Sequence, residues 1–234
     1  MQKYSLIIDR GRFDGNFRTA YIASILREKN NNKIIVLAYK NNDDEKFKIY
    51  KDLGADKIIF LKEEQKKIKN IYLIFLTAIY SLVYSVLLYR LYLKEKITKL
   101  HFKGIKIGDL ILDHSIRFDN DFYRKNNYNT YLLKILTSSI YKILFFKKLF
   151  KENQISFTIT SSLSYATLSS IGTRFSLKNK ARLIFSGGSE LKSFKNYNET
   201  LNGSFHIGKK NINAFMKNKL NQKKVEKYFF SRIS

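Results

Sequence analysis

The sequence has no cysteine, no proline and no tryptophan in 234 residues, and only three histidines and ten glycines. Without cysteine there is neither a disulfide framework nor a thiolate metal site. His101, His114 and His206 stand alone, without the spacing that gathers imidazoles around zinc, so the reading includes no metal. Acidic residues are few beside basic ones, 19 against 44, which leaves a formal charge of +25. Such a field attracts nucleic acid, anionic lipid or a phosphorylated substrate. The lysines, however, are spread along the chain, and the abundance of Lys, Asn, Ile, Tyr and Phe is the imprint of an AT-rich genome. Membrane or phosphate attraction therefore ranks ahead of a dedicated nucleic-acid surface. The N-terminus enters a strand-like run with no apolar leader and cleavage site, which predicts a cytoplasmic protein.

The length allows one good core, or a domain with an appendage. Tyr4 to Asp9 reads as a buried strand, followed by a turn flanked by Gly11 and Gly15 and by a helix in which Phe17, Tyr21 and Ile25 recur at helical spacing. That turn can offer backbone amides to an anion or a sugar, or serve as a plain βα connection. Lys33 to Ala38 is an apolar strand, Asp43 to Leu53 a short helix closed by Gly54, and Lys57 to Leu61 a third strand. Unbroken hydrophobic strands alternating with helices predict an α/β fold, a Rossmann-like parallel sheet of about six strands with helices on both faces. A long helix from Thr130 to Glu152, a strand over Ile155 to Thr160, a helix over Tyr165 to Leu177 and a strand over Ala181 to Phe185 continue the pattern. The hydroxyls of Ser161 to Ser164 suit a helix N-terminus.

Between the third and fourth strands lies Ile71 to Tyr89, nineteen residues without a charge. As a helix it is about 28 Å long at ~1.5 Å per residue, close to the thickness of a bilayer's hydrocarbon. One crossing would put the two halves of a single sheet on opposite sides of a membrane, so the reading is a long helix packed on the sheet. Its aromatic edge, flanked by Lys66, Lys67 and Lys69 and by Arg90, Lys94 and Lys96, could then lie on a membrane surface.

Polar groups are densest in Gly104 to Arg117, GIKIGDLILDHSIR. Gly104 and Gly108 bracket a turning strand end, and if Leu110 to Arg117 is helical, Asp109, Asp113 and Arg117 share a face. On spacing alone an N-cap aspartate with an ordinary i,i+4 salt bridge ranks ahead of a carboxylate pair lining a site. The pattern G-I-x-I-G-D-L-I-x-D-x-x-x-R resembles a signature of bacterial surface-carbohydrate (capsule and lipopolysaccharide) biosynthesis proteins, glycosyltransferases of the two-Rossmann-domain GT-B type. Leu112 stands where that group carries an aromatic residue, and His114 where it carries a small hydroxyl residue.

The resemblance implies the N-terminal, acceptor-binding half of a transferase, and the basic-flanked Ile71 to Tyr89 run predicts a peripheral place on the inner face of the plasma membrane. Residues 1–210 would form the Rossmann-like domain, and 211–234 a basic helix leading to a second, nucleotide-sugar domain beyond this chain. The resemblance implies a saccharide or lipid-linked acceptor and no cofactor other than a nucleotide-sugar donor supplied with that second domain, while the lysine excess and the Ile71 to Tyr89 run predict an anionic membrane surface as partner. Asp109 or Asp113 would be the catalytic base, with His114 a second choice whose ordinary pKa suits proton transfer. Arg117 would bind an acceptor phosphate or orient a carboxylate. The acceptor contacts implied are Gly11, Gly15, Gly104, Gly108, the hydroxyl-rich turn with a tyrosine (Ser161, Ser162, Tyr165) and the glycine pair with its serine (Gly187, Gly188, Ser189). The contrasting reading is a noncatalytic basic module that binds anionic lipid or nucleic acid.

Overall fold

The computed structural model describes residues 2–9, 13–40, 44–118, 128, 130–163, 167–187 and 190–196. All but Asn196 lie in one compact unit, Met1–Lys195. The expected boundary at 210/211 falls outside the described residues.

Six strands form the main sheet: β1 (Lys3–Ile8), β2 (Lys33–Ala38), β3 (Lys57–Phe60), β6 (Gln154–Thr160), β7 (Arg182–Gly187) and β8 (Glu190–Phe194). Their spatial order is β3-β2-β1-β6-β7-β8. Counted within the sheet this is 3-2-1-4-5-6, the order of dinucleotide-binding folds, and it reverses direction between β1 and β6. All pairs are parallel except β7 with β8, which form an antiparallel hairpin at one edge. Side chains alternate across the central strands: Leu6 and Ile8 enter one core, Ile7 the other. Both faces are covered, which is why these strands read as continuous apolar runs.

On the Ile7 face lie α1 (Phe13–Asn30) and α2 (Asp44–Asp52). The buried stripe of α1 is Asn16, Thr19, Ala20 and Ala23, whereas Phe17 and Tyr21 stack on each other in solvent. The small side chains let the helix sit close to the sheet, so the aromatic positions whose spacing marks the helix are not its inner face. The other face carries α6 (Thr130–Glu152) and α7 (Leu168–Lys178), with α4 (Ile71–Leu93) and α5 (Gly108–Phe118) packed outside them. A short helix, α3 (Leu61–Lys66), links β3 to this layer.

The sheet has the expected six strands, but its membership differs in one place. The Gly104 stretch forms a separate two-stranded hairpin, β4 (His101–Phe102) with β5 (Ile105–Lys106), and β8 takes the sixth position. Also, α7 begins at Leu168, capped by the Thr167 hydroxyl, which accepts from the Ser170 N–H at 3.3 Å. That capping role falls six residues after the first of the serines expected to supply it.

Candidate functional site

The GIKIGDLILDHSIR stretch is built around two glycines with distinct mechanical duties. Lys103 and Gly104 both have positive φ, 48° and 71°, which closes the β4–β5 hairpin in the two-residue turn whose twist matches its strands. Gly108 opens α5 where a Cβ would meet the Ile97 carbonyl oxygen at 1.8 Å, so only glycine lets the helix start against that backbone. Next to it, Asp109 accepts from Arg174 of α7 through both carboxylate oxygens, at 2.7 and 2.8 Å. Arg174 also donates to the Lys106 carbonyl at 2.6 Å, and Lys178 donates to the Lys103 carbonyl. Two side chains of α7 thus hold the hairpin and the start of α5. Burial acts to raise the Asp109 pKa, but the Arg174 hydrogen bonds and charge outweigh it and hold the carboxyl below its usual value. With both oxygens engaged, Asp109 is suited to positioning more than to accepting a proton.

The helix that follows forms as expected and carries Asp113 and Arg117 on exposed positions. Arg117 lies over the Phe118 ring at 5.8 Å. His114 is half-buried, its ring 4.8 Å from that of Phe118 and 6.2 Å from that of Tyr131 on α6. Burial, and then the nearby Lys142, push its pKa down, so the ring is neutral at pH 7. Lys142 is itself buried in α6, and burial lowers its pKa to about 8.

The ends of β1 and β6, where strand order reverses, are where open α/β sheets place ligands. Of the residues expected there, Gly11, Tyr165, Gly188 and Ser189 lie outside the described residues, and Gly15 falls within the first turn of α1. Ser162 is buried directly beyond β6, its N–H donating to the Thr160 hydroxyl at 3.3 Å, and Ser161 is half-buried beside it. Gly187 ends β7, paired with Glu190. Asp109 and its helix belong to the Leu6/Ile8 side of the sheet, whereas α1, which contains Gly15, lies on the other side.

A polar network on the α1 side was not expected. Asp9, one residue past β1, accepts from the Tyr50 hydroxyl at 3.1 Å, and Tyr50 shares a hydrogen bond with Thr19. Burial, then the Asp9 charge, raises the Tyr50 pKa, which keeps the phenol protonated as a donor. The Thr19 hydroxyl also lies 3.0 Å from the Asn16 main-chain carbonyl, to which its single proton can go instead. The available signal was the run of polar residues at helix positions 16 and 19, in register with Ala20 and Ala23.

The third feature is the face α4 turns outward. Its buried residues are Leu73, Thr77 and Leu88, and the Tyr80 and Tyr84 rings pack edge-on to Phe102. The side that carries Thr77, Ser81, Tyr84 and Ser85 therefore points inward, and Ile71, Phe75, Ile79, Leu82, Val83 and Val86 point out. The helix is long and apolar enough to cross a membrane by length and composition, yet the strands before and after it belong to one hydrogen-bonded sheet. A single crossing is incompatible with that pairing. Among the described residues no cluster of His, Asp or Glu could hold a metal ion. No family model, curated protein or solved structure matches the chain.

Proposed function

We propose that this chain is the acceptor-side domain of a glycosyltransferase of surface-polysaccharide synthesis, working on a lipid-linked saccharide at an anionic membrane surface. The observation that carries the reading is one juxtaposition. A sheet with the dinucleotide-fold strand order carries, on its outer helical layer, a helix whose most aliphatic side faces outward between basic flanks. A lipid-linked acceptor must be met where its lipid is embedded, and such a helix lets the domain rest there without spanning. The resemblance of the Gly104 to Arg117 pattern to the surface-carbohydrate group supplies the reaction class.

In this reading Asp109 fixes α5 on α7, and Asp113 with the neutral His114 are the groups offered for proton transfer, with Arg117 toward an acceptor phosphate. The donor sugar is brought by a second domain. The test is binding of a short-chain polyprenyl-phosphate saccharide by the chain on anionic vesicles, beside calorimetry with a panel of nucleotide sugars. Acceptor binding with weak nucleotide-sugar binding and no turnover is expected. Micromolar nucleotide-sugar binding with turnover by this chain would overturn the division of labour, and absence of acceptor binding would overturn the transferase reading. Tight, salt-sensitive binding of mixed-sequence RNA would favour the basic-module reading instead.

A further inference from the structure

We propose that the β4–β5 hairpin, with the last turn of α7, is a clasp for the phosphates of anionic phospholipids in a bilayer, set on one flank of the outward face of α4. The hairpin is two-sided. Phe102 and Ile105 pair across it and are buried, whereas His101 pairs with Lys106 on the other side, exposed and half-buried respectively. Phe102 meets the Tyr80 and Tyr84 rings edge-on, so the hairpin lies against the middle of α4. Lys103, in the turn, reaches back over the Tyr80 ring with its Nζ 4.8 Å from the centroid, and donates to the Tyr80 hydroxyl at 3.3 Å. Ile79 and Val83, beside Tyr80 and one turn on, face outward and are 42% and 62% exposed. An ammonium is thereby held next to exposed aliphatic surface midway along the helix, apart from the lysines at its two ends.

The company of Lys103 decides what the clasp takes. Lys178 of α7 donates to the Lys103 carbonyl, and the exposed Lys99 precedes the hairpin. Lys103 and Lys178 each give one of three N–H groups to these bonds, which leaves donors for phosphate oxygens. No acidic residue occurs from Lys96 to Gly108 or from Leu168 to Arg182, and Glu95 on the approach stands between Lys94 and Lys96. Asp109, next along the chain, has both carboxylate oxygens on Arg174. An anion at the hairpin therefore meets cations and a carboxylate already neutralised. Free phosphate or a nucleic acid would satisfy the lysines and leave Ile79 and Val83 against water. A phospholipid supplies both chemistries, with acyl chains along α4 and its phosphate at the hairpin. The clasp rests on the reading that α4 meets lipid, and it is independent of the reaction class.

The experiment is co-sedimentation of the intact chain with phosphatidylcholine vesicles, with and without phosphatidylglycerol. Lys103→Gln with Lys106→Gln should weaken binding to the anionic vesicles roughly 30-fold, each lysine near such a surface being worth about fivefold. Lys103→Arg with Lys106→Arg should bind as wild type. Lys29→Gln with Lys51→Gln, an equal loss of charge on the α1 side of the sheet, should cost less than about threefold. Depth is read separately: the chain has no cysteine, so nitroxides at Ile79→Cys, His101→Cys and Lys51→Cys report single sites. On anionic vesicles they should lie among acyl chains, at the phosphate level and in water, in that order. Equal effects of the two glutamine pairs, loss of binding in the arginine pair, or a hairpin nitroxide in bulk water would each overturn the clasp. If the glutamine pair lowers Tm, the nitroxide depths alone decide. Displacement from vesicles by inorganic phosphate beyond that by chloride at equal ionic strength would also overturn it, by making the site one for free anions. No binding of wild type to anionic vesicles would sink the clasp and the proposed function together. Phospholipid binding through the hairpin with no affinity for a lipid-linked saccharide would leave the clasp standing and sink the transferase reading.

Discussion

Replacing Phe75 and Leu82 together by serine tests whether the outward face of α4 meets lipid. The two are seven positions apart, on one side of the helix, and are 67% and 72% exposed. Removing a whole leucine or phenylalanine side chain from water is worth about 1.5–3 kcal/mol, so two-thirds of each contributes about 1–2 kcal/mol on insertion into an acyl boundary. The pair then accounts for about 3 kcal/mol, or ~100-fold in partition coefficient. The exposed Lys66, Lys69, Arg90, Lys94 and Lys96 beside the helix add about 1 kcal/mol each near an anionic surface, a term that shrinks as the screening length falls from ~10 Å at 0.1 M salt to ~3 Å at 1 M. Co-sedimentation with phosphatidylglycerol-containing vesicles should show both effects, and the fold should be untouched, since exposed substitutions change stability by only about 0.5 kcal/mol. Equal binding of wild type and double variant, or equal binding to neutral and anionic vesicles, would refute the reasoning. A Tm loss of several degrees would do so too, by showing that this face is covered in the folded protein.

Arg174→Met leaves the part-buried Asp109 carboxylate without its bidentate partner and should cost about 2–3 kcal/mol in urea unfolding. Because the Asp109 pKa is lowered in the fold, the wild-type contribution is complete above the unfolded carboxyl value near 4 and is lost as pH falls through the folded one; Asp109→Asn should flatten the stability profile in that acid window. Gly108→Ala forces a methyl against the Ile97 carbonyl and should cost on the order of 3 kcal/mol, visible as a lower midpoint with an unchanged slope. For Lys142 the slope has the same sign as for Asp109, but its effect at pH 7 is a penalty for the buried charge and not a gain. Its folded pKa of about 8 lies below the ordinary 10.5, so the unfolded chain binds more protons in between and stability should rise with pH across that interval, by roughly 3 kcal/mol at most; Lys142→Met should abolish the slope and gain stability at pH 7.

The parallel strands were legible because burial on both faces removes polar residues from them: Lys33 to Ala38 coincides with β2, and Thr130 to Glu152 with α6. Strand β8 was not, because an edge strand is half solvated: Leu191 and Lys192 point to water or its margin, and among its described side chains only Phe194 is buried. In the Gly104 stretch the helix and the glycine turn were readable from spacing. The partner of Asp109 was not, since Arg174 lies 65 residues away and no local pattern marks it. The orientation of α4 was equally hidden: a run apolar on every side has no periodicity to tell inside from outside, and the hydroxyls of Thr77, Ser81 and Ser85 suggest solvent where the fold uses their side for packing. Asn16 and Thr19 were passed over because the bulkier Phe17 and Tyr21 dominate the helical repeat.

The seam between β1 and β6 pairs residues such as Leu6 and Thr158, far apart along the chain. A ribosome that has finished β3 must still deliver about 100 residues before β1 gains its second neighbour, some 5–20 s at ~5–20 residues per second. Throughout that interval the nascent chain carries an open strand edge, and the aliphatic α4 emerges in the middle of it with neither α6 nor the completed sheet to lean on. Closure of long-range parallel pairs is also intrinsically slow. Yield in a cell should therefore be limited by what shields the first hundred residues during synthesis, a chaperone or a lipid surface, and co-expression of a holdase should raise it more than lowering the temperature does.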